Sequence, residues 1–421
     1  MSELSYQQVL PALMTELRCR IDEADLAWLN EDADLLLDLG LDSVQIMQIL
    51  VAMETRYHIT VPAEALQRDE ISTVSRLAKL LARQHVDNSQ IGEPELDIKV
   101  HCLSSCLCEC FRLNPDIDHR PFYFAVWDAE IFMNHNKKLS YHSDKVNHRF
   151  FIDWFSRLYG CKVESWYQHS KSKHANLDTL IQLLNNRRED EQILVMLDLY
   201  QLPERENRFS SNPFPHYVLL ENRPDPEKIW MWDPDFRWEG ELDKQRVFNA
   251  ILQDSVAGGY RFFANALQPP KAADIDAFFH ACMLKKNLLC TACEDIVHWH
   301  RQQQKLPLLS DALRELPVLA MRKYAYEHAF AFYWRELHLP EQDFEHWCEE
   351  IETLVRNFEK IQFLAAIYAD REEETHWQTL LAALAQQQKN ETRIKFALAT
   401  QHENWLTQRQ LTLSREGLAV S

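Results

Sequence analysis

The stretch Asp38-Leu39-Gly40-Leu41-Asp42-Ser43-Val44 decides how the first part of the chain is read. Behind it Val44, Ile46, Met47, Leu50, Val51 and Met53 recur at helical spacing, so Ser43 stands at a helix start. A hydroxyl there is an N-cap group, exposed and next to free backbone N–H groups. A phosphodiester at the same place is favoured by those N–H groups and by the helix dipole. Gly40 permits the turn into the helix, and Asp42 keeps its entrance acidic. Working outward, Leu4, Val9, Leu10, Leu13, Met14 and Leu17 mark an earlier helix. Val74, Leu77, Leu80 and Leu81 mark a later one. The pattern predicts a small four-helix bundle over residues 1–86.

This block resembles the acyl carrier protein signature. The resemblance implies a covalent 4′-phosphopantetheine arm on Ser43. It implies that Asp42 and Ser43 are recognised by a phosphopantetheinyl transferase, and that an adenylating ligase loads an acyl or aryl acid onto the arm. The bland alternative is an ordinary serine N-cap on a core helix. The Asp-Ser version is closer to acyl and aryl carriers than to peptidyl carriers, which more often show Gly-His-Ser.

A polar segment follows at 87–97 with Gly92 and Pro94, which reads as a linker. The full chain has 421 residues, enough for two or three domains. It holds only 7 glycines and no Gly-rich phosphate loop, which argues against nucleotide-driven chemistry. The net charge of −19 argues against a nucleic-acid surface and suits a cationic small molecule or a basic partner, though it equally serves solubility. No run of about 18 apolar residues predicts a membrane span. The first residues lack a basic, then apolar, leader pattern. Ten cysteines without such a leader read as reduced thiols, so the expectation is cytoplasmic.

Residues 98–268 mix strand-like runs (193–197, 217–221, 229–232, 260–263) with helical ones (102–111, 148–159, 177–187), an α/β or α+β pattern. Residues 269–421 are almost purely helical, with long periodic runs at 273–300, 309–336, 342–370 and 376–388. They are expected to pack on the middle domain. The fold class expected is therefore multidomain, α and α+β.

A carrier fused to a second domain suggests that this domain acts on the tethered acyl group. Such chemistry needs a nucleophile, a base and an orienting group. Cys102 enters a predicted helix, a position that favours thiolate. His216 opens one apolar strand and Asp233 closes the next, so a hairpin would place them together. Asp233 would then orient His216, and His216 would activate Cys102.

The order Cys, then His on an apolar strand, then Asp-Pro resembles the papain-like fold of bacteriocin-processing peptidases. It is closer to the butirosin-pathway acyltransferase family, with His101-Cys102, the block Asp198-Leu199-Tyr200-Gln201-Leu202-Pro203, His216, and Asp233-Pro234. Members of that family move an acyl group from a carrier protein to an amine. Domain order also resembles the petrobactin-type siderophore pair of an aryl carrier and a 3,4-dihydroxybenzoyl–spermidine transferase. The resemblance implies catalysis by Cys102, His216 and Asp233, an acceptor site near Asp198 and Tyr200, and a polyamine acceptor. One departure is that no Gln precedes the Cys as an oxyanion donor, which leaves the backbone N–H of Cys102 or Leu103 for that role.

Other readings stay open at this point. Cys102 is a plain buried cysteine in the bland reading, and Cys106 is a second nucleophile candidate. Water as acceptor would make a thioesterase or peptidase, and a non-catalytic scaffold is a third reading. Cys102, Cys106, Cys108 and Cys110 do not have zinc-ribbon spacing, and Cys290 with Cys293 lies in a helical run, so no metal is expected. Oligomeric state is open.

Overall fold

The computed structural model describes residues 5–21, 25–35, 38–41, 43–57, 59, 61, 72–82, 101–142, 148–205 and 212–419. Asp42 and the linker 87–97 lie outside them. In the carrier region, α1 (Tyr6–Arg18), α2 (Ser43–Arg56) and α3 (Val74–Leu81) enclose one apolar core. A capping box of Ser5 and Gln8 opens α1, and Thr73 caps α3. Gly40, at φ 62°, makes the turn before α2, with Leu41 N–H bonded to Leu35 O at 2.9 Å. Buried Glu16 on α1 accepts from Arg20, from Tyr57 Oη at 3.1 Å and from Arg56 at 3.3 Å, tying α1 to the end of α2. Besides these three α-helices the described carrier residues hold a 3-10 turn at Asp25–Trp28 in place of the fourth helix expected, and 62–71 lie outside them.

The middle region begins with α4 (Cys102–Cys108), then the hairpin β1 (Phe132–Met133) and β2 (Leu139–Ser140), and α5 (Arg149–Tyr159). Next come β3 (Glu164–Ser165), α6 (Lys173–Asn185), β4 (Glu191–Asp198), β5 (Pro215–Asn222), β6 (Lys228–Asp233), β7 (Trp238–Asp243), α7 (Lys244–Ile251) and β8 (Gly259–Phe263). Six strands form one antiparallel sheet in the order β3-β8-β4-β5-β6-β7. Both faces are covered. Leu194, Met196, Tyr217 and Leu219 pack with α4 and α5, while Ile193, Val195, Val218 and Leu220 pack with α6 and α7. Two buried faces explain why these strands read as continuous apolar runs rather than as alternation.

The C-terminal region is helical: α8 (Ala272–Cys282), α9 (Leu288–Gln302), α10 (Leu309–Ala312), α11 (Leu316–Ala320), α12 (Ala325–Leu337), α13 (Glu341–Arg371) and α14 (Glu374–Ala419). Two of the long helices expected there are broken. The run 273–300 splits between α8 and α9, where Asn287 is tied to Gln388 and Thr392 of α14. The run 309–336 is interrupted by a 3-10 turn at Met321–Tyr324. The last helix extends far beyond 388, with Ile394, Leu398 and Trp405 buried. One apolar core runs without a break from α4 and α5 into α12, α13 and α14. The carrier also rests on α13: Phe363, Ala366 and Ile367 join its core, and Arg371 Nη2 donates to Glu54 O at 3.2 Å.

Candidate active site

Cys102 is the first residue of α4, and its partners come from the sheet. His216 lies near the start of β5 and Asp233 ends β6, two neighbouring antiparallel strands. His216 Nε2–H donates to Asp233 Oδ1 at 2.8 Å, the meeting that the hairpin pattern predicts. With Nε2 committed to the carboxylate, the other ring nitrogen is left for the Cys102 thiol, which is within hydrogen-bond reach.

Burial alone would lower the His216 pKa, but the Asp233 carboxylate and Cys102 raise it well above the ordinary value. Burial would raise Asp233, but His216 and Arg205 hold it below the usual carboxylate range. Arg205 Nη2 donates to Asp233 Oδ2 at 2.8 Å and its guanidinium lies 4.1 Å from the Trp238 ring centroid. Asp235 fixes the entrance of α4: its Oδ1 accepts from His101 N–H at 3.1 Å and Ser105 Oγ at 2.9 Å. Neither Arg205 nor Asp235 had a sequence signal beyond lying close to the Leu-Pro and Asp-Pro blocks.

Cys102, His216 and Asp235 open on a cavity of about 100 Å³. This is the order of the ~150 Å³ engineered cavity that admits benzene, so a single aromatic ring is the scale of group it takes. Tyr141, Phe151, Met196, Phe214, Tyr217 and Phe236 supply its apolar wall. His101 and His148 also line it. Burial pushes the first well below its ordinary pKa and the second down to about 4, so both are neutral. His101 Nδ1 is buried without a hydrogen-bond partner. Val318, Met321 and Arg322 close the cavity from the C-terminal region, a contribution for which the sequence carried no signal.

Other sequence candidates fall elsewhere. Asp198 and Tyr200 are not among the residues lining the cavity. Asp198 is buried and clamps its own turn, accepting from Phe214 N–H at 2.8 Å and Tyr200 N–H at 3.2 Å, while Tyr200 faces solvent. Cys106 is buried with its thiol on Tyr217 O at 3.3 Å, and burial raises its pKa well above normal. All ten cysteines are free, and Cys290 and Cys293 are buried among apolar side chains of α9. No helix among the described residues is long and apolar enough to cross a membrane.

Comparison with known proteins gives three matches along the chain. Residues 9–81 match the phosphopantetheine attachment site family. Residues 97–267 match the DUF6005 N-terminal domain and 273–417 the DUF6005 C-terminal domain. The chain is similar to a petrobactin synthase of Bacillus anthracis, 36% identical over 312 residues, covering 73% of this chain and 95% of that protein. It is also similar to an acyl carrier protein of Streptomyces coelicolor, 33% identical over 76 residues, covering 18% of this chain and 80% of that protein. No solved structure matches.

Proposed function

The chain belongs to the petrobactin synthase family, and on that premise we propose that it joins a carrier-bound aryl or acyl group to an amine through an acyl-enzyme on Cys102. The coarser part follows from the family and the attachment domain: an acyl-transferring enzyme of siderophore biosynthesis with a covalent 4′-phosphopantetheine. Ser43 is the attachment residue in this reading. It is the first residue of α2, behind the turn at Gly40, where helix N–H groups lack intrahelical partners and suit a phosphodiester. The arm, when attached, supplies the acyl group as an activated thioester.

The observation that carries the reading is that Cys102 and His216 meet on one aromatic-walled cavity, with Asp233 bonded to His216 from behind it. His216 takes the Cys102 proton, and the paired Asp233 carboxylate stabilises the imidazolium so formed. The sulfur attacks the acyl carbonyl. The carbonyl electron pair moves to oxygen, then returns as the donor thiol leaves with the proton from His216. An amine repeats the sequence on the acyl-enzyme, with His216 now taking the amine proton, and an amide leaves. The papain-like arrangement, the 3,4-dihydroxybenzoyl group and the polyamine acceptor belong to this proposal. A ring-sized cavity supports the aryl group and the charge of −19 supports a cationic acceptor.

The test is Cys102→Ala in the loaded full chain with a polyamine present. Amide formation should vanish while arm loading is unchanged. Full amide formation in that variant would refute the mechanism, and release of the acid to water in the wild type, without amide, would make it a thioesterase.

A further inference from the structure

Two cations stand side by side in the 3-10 turn before α12, and both are buried. Lys323 is neutralised, with Nζ 2.6 Å from Glu391 and 3.2 Å from Asp128. Arg322 forms no ion pair among the described residues. Its Nη1 and Nη2 donate to two backbone carbonyls, Glu130 O at 2.9 Å and Tyr141 O at 3.0 Å. A buried charge with no carboxylate in salt-bridge contact is expensive; Cys102 and Asp235, both on the same cavity, act on this one only through space. It is the one arginine or lysine among the described residues lining the cavity, and it lies within electrostatic reach of Cys102.

The geometry points to Arg322 as the anion-holding group of the acyl-transfer site, its guanidinium facing first the Cys102 thiolate and then the oxyanion of the tetrahedral intermediate. The inference rests on the acyl-enzyme reading above. It assigns to the C-terminal region a direct part in catalysis. Each attack on a carbonyl puts a full negative charge on oxygen. An arginine already paired with two carbonyls needs no reorganisation to receive it. Burial brings the Arg322 pKa down only to about 10, so the group stays charged through the neutral range. The missing Gln before Cys102 is thereby replaced from a distant segment of the chain.

The experiment compares Arg322→Gln and Arg322→Lys with wild type in the full chain. Cys102 is alkylated with anionic iodoacetate and with neutral iodoacetamide, read by intact mass, with melting temperature as the check of fold. The iodoacetate-to-iodoacetamide rate ratio should fall about ten-fold in the Gln variant, as loss of a cation lining the same cavity requires, and should hold within about two-fold in the Lys variant. With substrate, the Gln variant should lose ~10²–10³ in kcat, the scale of one oxyanion donor, with KM little changed. A folded Gln variant with the wild-type ratio overturns the inference and leaves the acyl-enzyme reading standing. If the Gln variant does not fold, the Lys variant decides. It keeps the charge but cannot bridge both carbonyls, so a retained ratio supports the assignment and a ten-fold fall in a folded Lys variant overturns it.

Discussion

The carrier region and the transferase site concentrate their chemistry in opposite ways. In the carrier, the proposed attachment residue Ser43 takes its environment from its neighbours in sequence: Gly40 turns the chain and α2 begins at Ser43. In the proposed transfer site, no two of the assigned groups are sequence neighbours. Cys102 comes from α4, His216 from β5, Asp233 from β6, Arg205 from the loop after β4, and Arg322 from the far helical region. A motif built by local geometry tolerates remote change, whereas a site assembled from five elements depends on every contact that holds them.

That contrast can be broken at its strongest point first. Ser43→Ala should abolish the phosphopantetheine mass increment while Cys102 still alkylates at the wild-type rate. If alkylation also fails, the two regions are not independent. Asp233→Asn should lower kcat by roughly 10³–10⁴, as removal of the orienting carboxylate does in catalytic triads. An effect under ten-fold in a steady-state assay would remove Asp233 from the mechanism.

Arg205→Met leaves the fully buried Asp233 without one counter-charge. Breaking a buried pair from one side costs about 3–5 kcal/mol, a loss that chemical denaturation would reveal. Stability also tracks pH through this pair. The raised His216 pKa gives a contribution that is fully present below its unfolded value of 6.5 and is lost as pH rises through the folded value. The lowered Asp233 pKa gives one that is present above 3.8 and is lost as pH falls through the folded value. The Tm gap between wild type and His216→Gln should therefore be widest between these two values and narrow as pH rises. A gap that widens with pH would contradict the charged pair.

The smallest effect is expected at the contact between the regions. Ile367→Asp puts a charge into the apolar seam between α13 and the carrier. Turnover of the chain's own loaded arm should fall about three- to ten-fold by loss of effective concentration. Alkylation of Cys102 should stay unchanged. Equal turnover would show that delivery does not use this seat.

The readable part of the fold was the part with clean periodicity. Apolar runs bounded by turn residues located β4, β5, β6 and β8, and the His216–Asp233 bond followed from strand ends meeting in a hairpin. β7 escaped because an edge strand reading Trp-Glu-Gly-Glu-Leu-Asp has no apolar run. The length of α14 escaped because its buried face includes Gln387 and Glu391, whose polarity interrupts the helical pattern. Those residues are buried because Leu354 O accepts from Gln387, and because Lys323 and Tyr326 donate to Glu391. The Asp198-to-Pro203 block is a different case. Its residue types suggest a binding site; in the structure Asp198 Oδ1 accepts from two backbone N–H groups and Oδ2 from the side chains of Gln201 and Ser255.

Sequence alone determined what local physics determines: a carrier-type domain with a helix starting at Ser43, a His-bearing strand followed by an Asp-ending strand, and a helical C-terminal third. Only the tertiary structure decided that Arg322 reaches the Cys102 cavity while its neighbour Lys323 does not, and that Asp198 does not line it. The reason is that periodicity reports which side chains leave water but not what they are buried against. For a charge, the partner met there determines whether it serves stability or chemistry.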